Sequence, residues 1–195
     1  MRVGIMGGTF DPIHLGHLLA AERAREEAGL DEVWFMPAGT PPHKPNAPKA
    51  NADERLAMVK AAIAGNRRFR AEETEIRRGG TSYTIDTVRE LKLRHPDCDF
   101  FYIIGADMVQ YLPNWMRIDE LAALITFIGL ARPGYSADTR GLPPAIRASV
   151  VSVTMPQVDI SSTTIRNMRA SGQSIKYLVP DAVLAYIEEN RLYES

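Results

Sequence analysis

The sequence predicts an α/β fold: one Rossmann-like domain with a doubly wound, mainly parallel sheet, helices on both of its faces and a small helical part at the C-terminal end. Three observations carry this. Short apolar runs of strand length at residues 2–6, 32–36, 99–104 and 124–131 alternate with stretches in which apolar residues recur every three or four positions. A strand, helix, strand succession implies a right-handed parallel crossover, which gathers the loops at the carboxyl ends of the strands along one crevice. A length of 195 residues suits a single domain with a substantial core, so we expect residues 1–195 to form one unit, helical from about residue 160 onward.

The first strand, residues 2–6, runs through Gly7 and Gly8 into Thr9-Phe10-Asp11-Pro12 and then into a helix that starts near Leu15. Glycines let a backbone approach a ligand closely, and a helix N-terminus offers unpaired N–H groups and a favourable dipole for anions. The spacing is neither Gly-x-Gly-x-x-Gly nor a P-loop, so His14 and His17 need their own explanation. Three residues apart at the first helical turn, they share a face, and two donors aimed at one spot suit a phosphate that gains charge during reaction. Leu15, Leu18, Ala21, Ala24 and Ala28 stripe this helix, and Gly29 closes it. The next strand, residues 32–36, delivers a proline-rich loop whose His43 and Lys44 are site candidates.

A helix starting near Asp53 follows, with Leu56, Val59 and Ile63 as its stripe, then a charged edge strand or connection over residues 67–75. Thr84 can cap the next helix, whose inner face is Ile85, Val88 and Leu91, and Pro96 ends it. After the strand at 99–104 comes Gly105-Ala-Asp107. An unpaired carboxylate is expensive in a core, so Asp107 should face the crevice. Trp115, on a loop or short helix, is either core or a stacking platform for a flat heteroaromatic ring. The apolar run 124–131 is a further strand, 133–144 is a polar, Gly/Pro-rich excursion from the compact fold with a solvated Arg140, and 149–153 is a last strand. It delivers Asp159-Ile-Ser-Ser-Thr-Thr-Ile-Arg166. Ser161 or Ser162 can cap a helix that brings Arg166 round about one turn later, and a guanidinium grips phosphate oxygens with a planar fork. Pro180-Asp181 opens the final helix, packed through Val183, Leu184 and Ile187.

Gly-Gly-Thr-Phe-Asp-Pro-Ile-His14-Leu-Gly-His17 resembles the nucleotidyltransferase superfamily with the signature His-x-Gly-His, and within it the bacterial nicotinate mononucleotide adenylyltransferases. Ile160-Ser161-Ser162-Thr-Thr-Ile-Arg166 is similar to the partner motif of that family, in the expected order. The resemblance spans almost the whole chain and is weakest at residues 133–148 and in the last helix. It implies transfer of AMP from ATP to nicotinate mononucleotide, with His14, His17 and Arg166 as catalytic groups. It also implies ATP contacts from Gly7, Gly8, Thr9, Phe10, Gly105, Asp107, Ile160, Ser161 and Ser162, and mononucleotide contacts from Lys44, Tyr83, Thr84 and Trp115. Mg²⁺ would be held by the nucleotide phosphates and water, with little protein ligation.

Composition sets the outer limits. With 23 basic and 24 acidic residues the net charge is −1, which gives no general basic field for nucleic acid. Cys98 is the only cysteine, so no internal disulfide forms and a reducing, cytoplasmic setting is expected. No apolar run approaches a membrane span, and the first strand starts too early for a signal peptide. Self-association is left open by the sequence. So are a sister adenylyltransferase acting on nicotinamide mononucleotide or phosphopantetheine, and a non-catalytic nucleotide sensor. A metal hydrolase built on His14, His17, His43 and Asp107 is disfavoured, because a three-residue histidine spacing does not match the zinc-binding His-x-x-x-His helix.

Overall fold

The computed structural model describes residues 1–39, 47–131 and 137–194. The strands are β1 (Arg2–Gly8), β2 (Glu32–Pro37), β3 (Phe69–Ala71), β4 (Asp99–Gly105), β5 (Thr126–Ala131) and β6 (Val150–Thr154). Between and after them lie α1 (Leu15–Glu27), α2 (Ala52–Ile63), α3 (Thr74–Arg78), α4 (Thr84–Arg94), α5 (Ala106–Val109), α6 (Ile118–Leu124), α7 (Pro144–Ala148), α8 (Ser162–Ala170) and α9 (Asp181–Glu189), with one 3₁₀ turn at Leu112–Asn114. The six strands among the described residues are all parallel, in the order β3-β2-β1-β4-β5-β6. The order reverses between β1 and β4. Their carboxyl ends, Gly8 and Gly105, therefore flank the switch point where α/β sheets bind ligands.

The side-chain alternation of each strand supplies both faces. Val3 and Ile5 of β1, Trp34 and Met36 of β2, Phe100, Tyr102 and Ile104 of β4 and Phe127 of β5 pack beneath Ile85, Val88 and Leu91 of α4 and Leu121 of α6. On the other face Met6, Val33, Phe35, Ile103, Ile128 and Val153 meet Ala20, Ala21 and Ala24 of α1, Met58 and Val59 of α2, Ile165 of α8 and Ile187 of α9. Each buried Val, Leu, Ile, Phe or Met among them stabilises the fold by about 1.5–3 kcal/mol. The C-terminal helices thus join the same layer as α1, which presents α8 to the loop between β1 and α1.

Helix ends follow local chemistry. Gly29 takes φ +62° just beyond α1, and the Leu30 amide returns to the Arg25 carbonyl. Asn51 caps α2 by accepting the Glu54 amide at 3.0 Å, while Glu54 accepts the Asn51 amide at 2.7 Å.

Three expectations change. Thr84 is the first helical residue of α4 and not its cap; the position before it, Tyr83, is extended and makes no side-chain cap, and the Thr84 hydroxyl pairs with the Tyr102 phenol. From residue 137 the chain is no excursion: Ala137, Leu142 and Ile146 are buried in the second core cluster, and Gly129 gives Ala137 its place, since a β-carbon there would come within 2.8 Å of the Ala137 methyl. Arg140 itself is exposed and pairs with Asp138. The run 124–131 is split, because α6 ends at Leu124 and β5 begins at Thr126.

Candidate active site

The loop from β1 to α1 is fixed by its own buried groups. Phe10 adopts φ +50°, an unfavourable conformation for a non-glycine residue, and its ring is buried against His17 (edge-to-face, 5.1 Å between centroids) and Phe35 (5.9 Å). At Gly7 the close approach is obligatory, since a β-carbon there would overlap the Tyr102 hydroxyl. Below the loop, Arg55 is buried to 2 % exposure, and its guanidinium donates to the carbonyls of Thr9 (2.9 Å), Ala38 (2.7 Å) and Gly39 (3.1 Å).

His14 and His17 stack with ring centroids 3.6 Å apart. The His14 amide donates to His17 Nδ1 at 3.2 Å. That bond assigns the acceptor role to Nδ1, so in the neutral ring Nε2 carries the proton and is the donor. His14 is itself buried, and loss of solvation lowers its pKa from 6.5 to about 4; it is neutral at pH 7.

This shift has a consequence for stability. With a folded pKa near 4 and an unfolded value of 6.5, the unfolded chain takes up a proton that the folded one refuses. The cost is absent above pH 6.5, grows as pH falls, and levels off below about 4. We expect it to reach about 3 kcal/mol at most. Urea titrations of wild type and His14→Asn should diverge over that window, the wild type losing more stability; parallel curves would contradict it.

The second wall is α8. Ser161 caps it, accepting the Thr164 amide at 3.1 Å, and Ser162 Oγ donates to the Pro12 carbonyl at 2.9 Å. Arg166 donates through Nη1 to the Asp11 carbonyl at 2.7 Å and through Nη2 to Thr163 Oγ1 at 3.3 Å. The two motifs, about 150 residues apart, are thus pinned directly to each other. Between them lies a cleft of about 1300 Å³ lined by Gly8, Thr9, Phe10, His14, His17, Gly105, Asp107, Ile160, Ser161, Ser162 and Arg166. Asp107 faces it as expected, with its carboxylate folded back over Gly105, where a β-carbon would sit 2.6 Å away.

A second lobe of about 480 Å³ shares Gly8, Thr9, His14, His17, Gly105 and Ile160 with the first and extends over Gly7 to Tyr83, Thr84 and Trp115. Trp115 is half-buried and held edge-on by Tyr102 (5.7 Å) and Phe127 (5.9 Å), which fixes the plane of its indole. Lys44 and His43 lie outside the described residues. Sequence reasoning missed several groups here. Glu75 and Ser82 line the second lobe; burial raises the Glu75 pKa, and the buried Ser82 Oγ has no hydrogen-bond partner among the described residues. Glu75 stands in no motif, and only the folded chain brings it to the pocket; Ser82 immediately precedes Tyr83 and Thr84 in the Ser-Tyr-Thr turn, of which only those two are expected at the site from sequence.

Comparison with known proteins agrees with this geometry. Residues 5–168 match the cytidylyltransferase-like family. A probable nicotinate-nucleotide adenylyltransferase of Bacillus pumilus (strain SAFR-032) is 50% identical over 194 residues, which cover 100% of this chain and 99% of that protein. The nicotinate-nucleotide adenylyltransferase of Bacillus subtilis (strain 168) is 49% identical over 194 residues, with the same coverage. The chain belongs to the nicotinate-nucleotide adenylyltransferase family. Among solved structures, a Plasmodium falciparum nicotinic acid mononucleotide adenylyltransferase complexed with NaAD superposes with a TM-score of 0.77 over 98% of this chain and 97% of that one. At 19% sequence identity this shows that the overall fold is shared. No helix among the described residues is long and apolar enough to cross a membrane.

Proposed function

We propose that this chain is a cytoplasmic enzyme that transfers AMP from ATP to nicotinate mononucleotide, giving nicotinate adenine dinucleotide and pyrophosphate for NAD synthesis. One observation carries the reading: the His14/His17 turn and the Ser161/Ser162/Arg166 helix line one cleft, and an aromatic-walled lobe opens from it. The relatives named above point to the same reaction.

The triphosphate would lie in the larger lobe, over Gly8, Thr9 and the start of α1, where helix amides and imidazoles supply donors. The mononucleotide would enter the smaller lobe, its ring against Trp115 and beside Tyr83 and Thr84. Its 5′-phosphate is already an anion. An oxygen of that phosphate forms a bond to the α-phosphorus of ATP, the bond from the α-phosphorus to the bridging oxygen breaks, and pyrophosphate leaves with the electron pair. No general base is needed. The work is positioning and charge neutralisation: His17 donates to oxygens of the α-phosphate, His14 supports it from below, and Arg166 faces the departing phosphates.

Mg²⁺ would accompany the phosphates. Among the described residues no group of three His, Cys, Asp or Glu side chains is placed to hold a metal, while Asp107 at the cleft fits the one or two carboxylates that Mg²⁺ on a nucleotide takes. When bound it would neutralise phosphate charge.

Pyrophosphate release from ATP, measured across nicotinate mononucleotide, nicotinamide mononucleotide and phosphopantetheine, tests the proposal. The acid mononucleotide should give the highest kcat/KM; ATP binding without release for any acceptor would make the chain a sensor. Trp115→Ala should raise the KM for the mononucleotide about tenfold with kcat within about threefold, since stacking contributes roughly 1.5 kcal/mol of binding. A fall in kcat alone would remove Trp115 from the binding role.

A further inference from the structure

One residue before the end of the described chain, Tyr193 reaches back across 182 positions and donates its hydroxyl to Asp11 Oδ1 at 2.8 Å. We propose that Tyr193 is a positioning residue for Arg166, acting through Asp11, so that the C-terminal tail is a working part of the nucleotide site. The proposal rests on the placing of the triphosphate beside Arg166 put forward above.

Asp11 is a hub. Its buried carboxylate accepts the Lys49 amide on Oδ2 (2.9 Å) and the Ala50 amide and Tyr193 hydroxyl on Oδ1 (3.0 and 2.8 Å). Its carbonyl accepts Arg166 Nη1 at 2.7 Å, and the same Nη1 lies 3.8 Å from Oδ2. Rotation of the Asp11 peptide would swing the acceptor away from Arg166, and the carboxylate bonds are what hold that peptide in place. Two of those bonds come from the backbone at 49–50; the third comes from the tail.

The tail is built to deliver it. Arg191 and Tyr193 both take left-handed backbone conformations, φ +51° and +61°, which side-chain-bearing residues seldom adopt without compensating contacts. These turns fold the chain off the end of α9, where the Leu192 amide closes on the Ile187 carbonyl. Glu194 then pairs with Arg169 at 2.6 Å, one turn beyond Arg166 on α8. The last described residues therefore hold α8 at Arg169 and the loop before α1 at Asp11, the two elements that Arg166 joins. Burial and the adjacent Asp11 carboxylate keep the Tyr193 phenol protonated and hence a donor.

The test uses the full chain and two readouts: the dissociation constant for α,β-methylene ATP, and the separate KM values of pyrophosphate release. Tyr193→Phe removes one oxygen. A lost hydrogen bond to a charged group should weaken analogue affinity and raise the ATP KM about tenfold, with the mononucleotide KM within about twofold. In an Arg166→Ala background the same substitution should have no further effect, since the group it positions is gone. Unchanged affinity in Tyr193→Phe would overturn the proposal, as would the same factor in both backgrounds, which is what a general loss of folding produces. Arg166→Ala alone reads the underlying assignment. If it binds the analogue like wild type, the placing of the triphosphate fails and the proposal with it; if it loses affinity while Tyr193→Phe does not, only the role of Tyr193 fails.

Discussion

His17→Ala should lower the kcat of pyrophosphate release by two to three orders of magnitude, about 3–4 kcal/mol of transition-state stabilisation, with little change in thermal stability. The size follows from the tautomer. Because His17 Nδ1 accepts the His14 amide, the proton resides on Nε2, and a histidine held this way is a pre-oriented donor that reorganises little when charge grows on the phosphate. Its orientation is fixed by two rings, His14 stacked at 3.6 Å and Phe10 in an edge-to-face contact at 5.1 Å. Removal of the ring leaves the His14 amide without its acceptor at a half-buried helix start, a modest structural cost, so circular dichroism and melting should confirm a folded protein. His17→Asn should recover part of the lost rate, because its amide can donate. A folded His17→Ala enzyme within tenfold of wild-type kcat would remove His17 from the chemistry.

The parts of this site that could be read from the sequence are those whose chemistry is local. Gly7, Gly8, His14 and His17 sit within one strand-turn-helix unit, and Ser161 to Arg166 within one helical turn, so spacing alone describes each wall. That the walls meet depended on the alternation of strands and helices, which places both at carboxyl ends of a parallel sheet. What remained hidden is set by long-range contact. Arg55 occupies an ordinary position in an amphipathic helix next to Leu56, and nothing nearby signals that three carbonyls from two distant loops converge on it. Tyr193 reads as part of a chain end. Thr84 looks like an N-cap by residue type, yet the Tyr102 phenol beneath Gly7 recruits its hydroxyl. Residues 137–148 carry turn-forming glycine and prolines, and only the missing side chain at Gly129 shows where Ala137 packs.

Arg55→Met should destabilise the fold by about 3–5 kcal/mol, the loss expected when one partner of a buried charged network is removed. Methionine matches much of the volume, so a cavity contributes little and the loss reports the polar network. The substitution strands the carbonyls of Thr9, Ala38 and Gly39, each of which accepts from the guanidinium. It also withdraws the positive charge that faces the buried Asp11 carboxylate. Desolvation lowers the Arg55 pKa, yet arginine starts so high that it stays charged at any working pH, a property a buried lysine would not share. Arg55→Lys should accordingly be intermediate in stability, since an ammonium cannot span three carbonyls from two segments with the same planar geometry. The functional effect should exceed the structural one. Arg55 ties Thr9, in the loop proposed to hold the triphosphate, to residues 38–39 just beyond β2, so even where the variant is folded at low temperature its ATP affinity should drop. Urea denaturation paired with nucleotide titration measures both, and an Arg55→Met protein as stable as wild type would show that this charge merely fills space.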